Sequence, residues 1–183
     1  MWSIGETGPV SAAIPTREAQ IRNLAGSGQR AEAAIELWKA WTAGELAASQ
    51  LGELIRDSIW PYLDLPADDP RRLTDEQWVV LFRAAAPITQ TGHPVELAFP
   101  LRVYRGATGA RARGLSWCTS RAMAEPFLER LEKLGETGRI WTTEIGRDAA
   151  LAVIFRPSDC VTDPQAREIV VDPAGLPLQL EVC

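Results

Sequence analysis

The sequence predicts an α+β fold in which a helical first half packs against a sheet of short strands. From Thr16 to about Ala86, apolar residues recur at the three-to-four-residue spacing of helices. After Phe99 they alternate with polar residues, as in half-buried strands. The composition is that of a folded chain, since 46% of the 183 residues are apolar and 23% are charged. We expect a single domain over residues 1–183, with a helical part at 1–98 and a β-rich part at 99–183.

The helical half shows boundaries between its elements. Gly26–Gly28 separates the first helix from the second, and a proline-rich, acidic stretch from Trp60 to Pro70 predicts a surface connector. Thr74 and Gln77 form a capping box, and the helix that they open should end near Pro87. The predicted buried face of the earlier helices consists of Ala31, Ala34, Ile35, Trp38, Trp41, Leu46, Leu51, Leu54, Ile55 and Ile59.

Short strands and one helix are predicted for the second half. The strand candidates are residues 101–106, 114–118, 139–145, 149–155, 167–172 and 178–182. The helix is expected over Arg121–Leu134 with Gly135 as its stop, and Pro126 is compatible with it if it begins near Met123 or Ala124. The apolar face of that helix is predicted from Ala124, Phe127, Leu128, Leu131 and Leu134.

Charge and composition exclude several classes of function. A net charge of -5 argues against a nucleic-acid-binding surface, and a single histidine, His93, leaves no basis for a His-rich metal site. The sequence contains no Gly-Lys-Ser/Thr of a phosphate-binding loop. Cys118, Cys160 and Cys183 are widely spaced, which predicts buried thiols in a reducing compartment. With no secretory signal and no membrane-spanning run, we expect a cytoplasmic protein without a membrane partner or a metal.

Three segments place an arginine, a serine and a glutamate on successive predicted strands. They read Val103-Tyr104-Arg105-Gly106, Gly114-Leu115-Ser116-Trp117-Cys118-Thr119-Ser120 and Arg167-Glu168-Ile169-Val170-Val171. This order resembles the Arg-Ser-Glu clade of mono-ADP-ribosyltransferases, in particular small toxin-like members from bacteria and phages. The resemblance covers about residues 99–183. It implies a split mixed or antiparallel sheet around an NAD-binding cleft.

The resemblance also implies an activity and three catalytic roles. The chain would cleave the nicotinamide–ribose bond of NAD and transfer ADP-ribose to an acceptor, expected to be a macromolecule. Glu168 would stabilise the transition state, Ser116 would orient Glu168, and Arg105 would grip the pyrophosphate. This assignment agrees with the chemistry, because cleavage develops an oxocarbenium-like cation on the ribose that a nearby carboxylate stabilises. An antitoxin or a host protein is a further partner that the resemblance suggests.

Further residues are expected to contact the NAD substrate. Gly106 would let the backbone come close to the nicotinamide carboxamide. An aromatic ring would stack on the departing nicotinamide, and the candidates are Tyr104, Trp117 and Phe127.

Simpler interpretations compete with these roles. Taken singly, Arg105 reads as an exposed arginine beside a turn, Ser116 as an ordinary strand serine and Trp117 as a core residue. Ala166 stands where arginine-modifying relatives carry a glutamate and other relatives a glutamine, and Gln165 lies one position earlier. The sequence therefore gives no support for arginine as the acceptor residue. Two alternative functions are a non-catalytic binding module of the same fold and an NAD glycohydrolase.

The single histidine separates two clades of this fold. The diphtheria-toxin and poly-ADP-ribose polymerase type places a histidine where this chain has Arg105. Because His93 precedes the first predicted core strand, the sequence favours the Arg-Ser-Glu clade. Any nucleic-acid acceptor would need a local basic patch, for which Arg111, Arg113 and Arg121 are candidates.

Overall fold

Helices in the first half and strands in the second confirm the α+β prediction. The computed structural model describes residues 15–62, 72–85, 88–89, 96–154 and 167–180. The α-helices in these ranges are α1 (Arg17–Gly26), α2 (Arg30–Thr42), α3 (Ala48–Leu54), α4 (Asp75–Ala84) and α5 (Arg121–Lys133). The strands are β1 (Ile88–Thr89), β2 (Leu101–Ala107), β3 (Ser116–Cys118), β4 (Arg139–Ile145), β5 (Ala150–Ile154), β6 (Glu168–Val171) and β7 (Gln179–Leu180). Within the described ranges, no helix is long and apolar enough to cross a membrane.

The strands form one seven-stranded mixed sheet in the order β1-β5-β6-β3-β2-β4-β7. Neighbouring strands are antiparallel except β1 and β5, which are parallel. β2 pairs with β4 along its whole length, whereas β2 and β3 share only the pair Tyr104–Cys118. The sheet therefore opens between β2 and β3 on the Ser116 side of that pair.

All five helices lie on one face of the sheet. Val170, Ala152 and Ile154 pack into a core with α1 to α4, while Cys118 and Ile140 pack beneath α5. Strand alternation places Ser116, Glu168 and Val170 on this same face, since Ser116 pairs with Val170 and Cys118 with Glu168. The opposite face carries a separate core of Val103, Trp117, Ile145, Ile169, Val171 and Leu176.

The predicted boundaries of the helical half are confirmed at two points. Gly28, with φ +86°, lies in the break between α1 and α2. At the start of α4, the N–H of Gln77 donates to Thr74 Oγ1 at 3.2 Å and the N–H of Thr74 donates to Gln77 Oε1 at 2.8 Å. The capping box thus satisfies two donors that would otherwise lack partners in the helix.

The buried face of α2 differs from the predicted stripe. Its buried residues are Ala31, Ala33, Ala34, Leu37 and Ala40, whereas Ile35, Trp38 and Trp41 are only half-buried at the edge of the core. Small alanine side chains let α1 approach α2, while the large indoles fit only beside the contact. The continuation of the predicted stripe through Leu46, Leu51, Leu54, Ile55 and Ile59 is buried as expected.

The predicted surface connector is wrong at its first residue. α3 continues through a π-helical turn, Ile55–Ile59, into a 3-10 turn, Trp60–Tyr62. The indole of Trp60 is half-buried and meets the rings of Trp78 and Phe82 edge to face, with centroids 5.1 Å and 4.9 Å apart. The rest of the connector, residues 63–70, lies outside the described residues.

α5 begins at Arg121, as predicted, but its apolar face departs in part from the prediction. The later start near Met123 or Ala124 that would suit Pro126 is not observed, so Pro126 lies inside the helix and cannot donate a hydrogen bond to the carbonyl of Ala122. Ala124 and Leu131 are buried, but Phe127 is 38% exposed and Leu134 is 67% exposed. Gly135 has a φ of +74° and ends the helix as expected.

All six predicted strands are present, β4 with its predicted bounds and the other five with different ends, and β1 was not predicted. β1 spans two described residues and pairs in parallel with Ala152 and Val153 of β5. A two-residue strand is too short to show an alternation pattern, so the sequence carries no signal for it.

An ion pair ties α4 to the end of β6. Arg83 Nη2 lies 2.7 Å from Asp172 Oδ2, and the N–H of Ala174 donates to Asp172 Oδ1 at 2.9 Å. Burial alone would raise the pKa of Asp172, but the hydrogen bonds from Arg83 and Ala174 and the charge of Arg83 hold it below its ordinary value. A carboxyl with a lowered folded-state pKa stabilises the fold above its unfolded pKa, and this contribution is lost as pH falls through the folded value.

We expect Arg83→Gln to lower the free energy of unfolding by about 1 kcal/mol at neutral pH, because the arginine is more than half exposed. The loss should shrink as pH falls below the ordinary pKa of an aspartate and through the lowered folded-state pKa, where Asp172 takes up a proton. Urea unfolding across this pH range measures both effects. Arg102→Gln, which removes the more exposed pair with Glu144, should cost less. A loss for Arg83→Gln that is the same at every pH would contradict the assignment.

Candidate active site

A hydrogen bond joins the serine and the glutamate of the predicted motifs. Ser116 Oγ on β3 donates to Glu168 Oε1 on β6 at 2.7 Å. The two residues occupy diagonal positions on the helix-bearing face, a separation that a glutamate side chain spans. Glu168 is only 3% exposed, and a buried carboxylate is costly unless hydrogen bonds satisfy it. Ser116 therefore stabilises and orients the carboxylate.

Trp60 supplies a second donor to the same carboxylate oxygen. Its Nε1 donates to Glu168 Oε1 at 3.2 Å, across 108 positions of sequence. Edge-to-face contacts with Trp78 and Phe82 hold the indole in place. The second-half motifs contain no sign of this contact. A signal was nevertheless present, because Trp60 directly follows the apolar series that ends at Ile59, and a buried indole N–H needs an acceptor.

Arg105 bridges the opening between β2 and β3. Its Nε donates to the carbonyl of Arg111 at 3.1 Å, and its Nη1 donates to the carbonyl of Ser116. Continuing the register from the Tyr104–Cys118 pair would put Ser116 opposite Gly106, so the guanidinium replaces a ladder hydrogen bond. The side chain is half-buried and anchored, which rules out the simpler interpretation of an exposed arginine beside a turn.

Gly114 makes room for the Arg105 guanidinium. A Cβ atom at position 114 would lie 2.7 Å from Arg105 Cζ, a distance that real Cβ contacts do not show. Burial lowers the pKa of Arg105, and the negative charge of Asp75 opposes that effect. The group keeps its positive charge, since an arginine is not deprotonated in proteins at neutral pH.

A small cavity lies where these residues meet. Arg105, Gly106, Ser116, Cys118 and Phe127 line it, and its volume is about 20 Å³. This is room for about one water molecule. The structure thus brings Phe127 next to two of the three predicted catalytic residues, on the side of the cavity formed by α5.

Two of the expected stacking residues lie elsewhere. Trp117 is fully buried, because strand alternation turns it to the face opposite Ser116, where its Nε1 donates to the carbonyl of Gly114 at 2.7 Å. Tyr104 packs beneath α5 against Ala124 and its neighbours in that core. Trp117 and Tyr104 are therefore parts of the packing, and neither lines the cavity.

Gly106 has a role in helix packing, and its expected role beside the nicotinamide stays a prediction. A Cβ at this position would lie 3.1 Å from the Cβ of Phe127 and closer still to the carbonyl oxygen of Ala124. The backbone of α5 thus rests directly on β2. The glycine sets the height of α5, and with it the position of Phe127, above the sheet.

We expect Gly106→Ala to destabilise the fold by about 2 kcal/mol, the usual cost of forcing an extra carbon into a packed contact. The carbonyl of Ala124 cannot move away without shifting the whole helix. Thermal or urea unfolding measures the change. Gly109→Ala is the matched control, because a Cβ there meets nothing within 4 Å. Equal stabilities for the two variants would contradict the packing role.

Several residues named from the sequence lie outside the described residues: His93, Cys160, Gln165, Ala166 and Cys183. Cys118 is buried, as predicted. Arg121 belongs to α5, where it faces Glu125 at 3.7 Å, while Arg111 and Arg113 lie in the loop between β2 and β3.

Comparison of this chain with protein-family models, with curated proteins and with solved structures gives no match.

Proposed function

We propose that this chain is an NAD-dependent mono-ADP-ribosyltransferase with an ADP-ribosyltransferase-like split sheet. The observation that carries the proposal is the hydrogen bond from Ser116 to the buried carboxylate of Glu168, beside the anchored guanidinium of Arg105. These three residues come from three strands in the order of the clade's motifs. NAD is the proposed substrate, no metal takes part, and the acceptor is a macromolecule in the cytoplasm. An antitoxin or a host protein is the proposed further partner.

In the proposed reaction Glu168 acts electrostatically. The bond between the ribose C1′ and the nicotinamide nitrogen breaks, and its electron pair leaves with nicotinamide. The ribose then carries positive charge, which the carboxylate stabilises more strongly than it would in water, because little solvent reaches it. An acceptor nucleophile bonds to C1′ and loses its proton. If water takes that place, the products are free ADP-ribose and nicotinamide.

Two fixed donors prepare Glu168 for this role. Ser116 and Trp60 both donate to Oε1, so the carboxylate is held from the sheet side and from the helical half at once. A carboxylate oriented before the reaction need not reorganise as charge develops. Trp60 is a positioning residue in this scheme, because it acts through Glu168.

Arg105 is the proposed grip for the pyrophosphate of NAD. Its bonds to the carbonyls of Arg111 and Ser116 occupy two of its N–H groups and fix the plane of the guanidinium. Both acceptors are neutral, so the positive charge is retained for an anionic ligand.

Phe127 is the proposed wall for the nicotinamide ring. The adjacent cavity of about 20 Å³ is smaller than such a ring, so binding requires this side of the cavity to open. Phe127 is 38% exposed on α5, whereas Trp117 is fully buried.

We expect Glu168→Gln to consume NAD at least about 100-fold more slowly than the wild type, the typical effect of removing one group that stabilises transition-state charge. Glutamine keeps an oxygen that can accept from Ser116 and Trp60, so the fold should be preserved. Release of nicotinamide from labelled NAD measures the rate. Glu129→Gln, on the exposed surface of α5, is the matched control and should behave as the wild type. A Glu168→Gln variant that consumes NAD at the wild-type rate would contradict the proposed function.

We expect Trp60→Phe to lower kcat by about tenfold and to leave KM for NAD almost unchanged. The phenyl ring keeps the contacts with Trp78 and Phe82, whereas the donor to Glu168 is lost, and one hydrogen bond to a charged group contributes about 1.5–3 kcal/mol. Steady-state kinetics of NAD consumption separate the two constants. Trp38→Phe, at a half-buried position of α2, is the control. A raised KM with an unchanged kcat would show that Trp60 does not position the carboxylate.

A further inference from the structure

Thr119 makes two hydrogen bonds to the residue that directly precedes Glu168. Its backbone N–H donates to the carbonyl of Arg167 at 2.9 Å, and its Oγ1 accepts from the backbone N–H of Arg167, also at 2.9 Å. Both bonds run from the end of β3 to the start of β6, next to the pair Cys118–Glu168. Thr119 therefore holds the main chain immediately before the proposed catalytic carboxylate.

The threonine hydroxyl takes the place of a main-chain acceptor. In a regular antiparallel ladder, every second pair of residues exchanges two main-chain hydrogen bonds. The β3–β6 register, continued by one residue, makes Thr119 and Arg167 such a pair. The first bond of this pair is regular, but the second goes to Oγ1 where the ladder would use the carbonyl of Thr119. The chain turns at this point towards Ser120, the N-cap residue of α5.

Glu168 is the first residue of β6, so its position depends on how the strand is held at its entry. On one side it pairs with Cys118 at the end of β3, and on the other side it pairs with Ile154 at the end of β5. Strand ends open more readily than strand centres. The two bonds of Thr119 therefore extend the held part of the chain to the residue before Glu168.

Thr119 also links the start of β6 to the start of α5. It directly precedes Ser120, whose carbonyl accepts from the N–H of Met123 at 3.2 Å in the first turn of the helix. Phe127, the proposed wall for the nicotinamide ring, lies on this helix. The bonds of Thr119 thus join the element that carries the carboxylate to the element that carries the wall.

Loss of the hydroxyl would disturb the main chain at this point. Thr119 is half-buried, and its bond to Arg167 is partly shielded from water. Without this acceptor the N–H of Arg167 would need a new partner, and a shielded donor that loses its acceptor is unfavourable. The main chain before Glu168 would adjust, and the carboxylate would move with it. A displacement of about 1 Å at a reacting group can slow a reaction on the order of 100-fold.

We propose that Thr119 is a positioning residue whose hydroxyl fixes the start of β6 and thereby holds the Glu168 carboxylate in its reactive position. This role rests on the proposed function, because that function makes Glu168 the group that stabilises the ribose cation. Ser116 and Trp60 orient the side chain through Oε1, whereas Thr119 orients the main chain that carries it. The hydroxyl is the part of Thr119 that this role requires, so a serine should fulfil it.

The first test is steady-state kinetics of NAD consumption. Thr119→Val removes the hydroxyl and keeps a branched side chain that suits a strand. We expect it to lower kcat about tenfold and to leave KM for NAD almost unchanged, because the carboxylate acts in the transition state. The loss is smaller than the roughly 100-fold cost of a full 1 Å displacement, since Ser116 and Trp60 still orient the side chain. Thr119→Ser should keep the wild-type kcat.

Thr142→Val is the matched control. It also removes one threonine hydroxyl from the sheet, where Thr142 Oγ1 donates to the carbonyl of Val103 at 3.1 Å. β2 and β3 lie between its strand, β4, and β6, so this variant should keep the wild-type kcat. A folded Thr119→Val with the wild-type kcat, or a Thr119→Ser as slow as Thr119→Val, would overturn the proposal.

A measurement without NAD separates this inference from the proposed function. The indole N–H of Trp60 donates to Glu168 Oε1, so its NMR resonance, identified by its absence from Trp60→Phe, reports the position of the carboxylate. The resonance should shift in Thr119→Val and stay in place in Thr119→Ser and Thr142→Val. If it does so while the wild type leaves NAD intact, the proposed function fails and the placement of Glu168 by Thr119 stands.

The wild type alone provides a last test, which holds even if Thr119→Val does not fold. The amide hydrogen of Arg167 should exchange with solvent much more slowly than an unprotected amide, because it donates to Thr119 Oγ1. Exchange at the unprotected rate would show that the hydroxyl does not hold the start of β6. That result, or a Trp60 resonance that is the same in folded Thr119→Val and in the wild type, would overturn the proposal.

Discussion

The buried carboxylate of Glu168 is the constraint on which the rest of the site depends. A charge at 3% exposure is unfavourable unless donors surround it, and the donors here come from opposite directions. Ser116 reaches it within the sheet, while Trp60 reaches it from the turn that ends α3. The helical half, which helps to bury the carboxylate, therefore also supplies one of its donors. The shared core of α1 to α4 with Val170, Ala152 and Ile154 holds the helical half against the sheet.

The opening between β2 and β3 is a second feature of the sheet on which the site depends, because the Arg105 side chain occupies it. One residue pair joins these strands, and beyond it the Arg105 side chain takes over the hydrogen bonding that a strand would supply. The Arg105 guanidinium lies against Gly114 and fills this opening. The two strands therefore do not form a continuous ladder of hydrogen bonds there. Arg105 lines two cavities, one next to Ser116 and one next to the start of α4.

The sequence predicted what depends on local pattern and missed what depends on long-range contact. Alternation placed Ser116 and Glu168 on strands, and their hydrogen bond follows from a two-residue offset across the β3–β6 register. The same alternation places Trp117 on the face opposite Ser116, in agreement with its simpler interpretation as a core residue. The apolar series before Trp60 indicated that its indole could be buried, but not that its acceptor would be Glu168, because the two residues are 108 positions apart. The role of Gly106 was equally hidden, since only the approach of Ala124 reveals it.

The two halves of the chain contribute to the site in different ways. The motifs of the second half supply the groups proposed to act on NAD, and the described residues of the first half supply part of their surroundings. Trp60 holds the carboxylate, and Arg72 and Asp75 line the cavity next to the start of α4. A β-rich part separated from the helices would keep Ser116 beside Glu168 but would expose the carboxylate to water, where its attraction for a cation is weakened several-fold. The strength of the proposed chemistry therefore depends on the helical half, although the motifs that suggest it lie in the sheet.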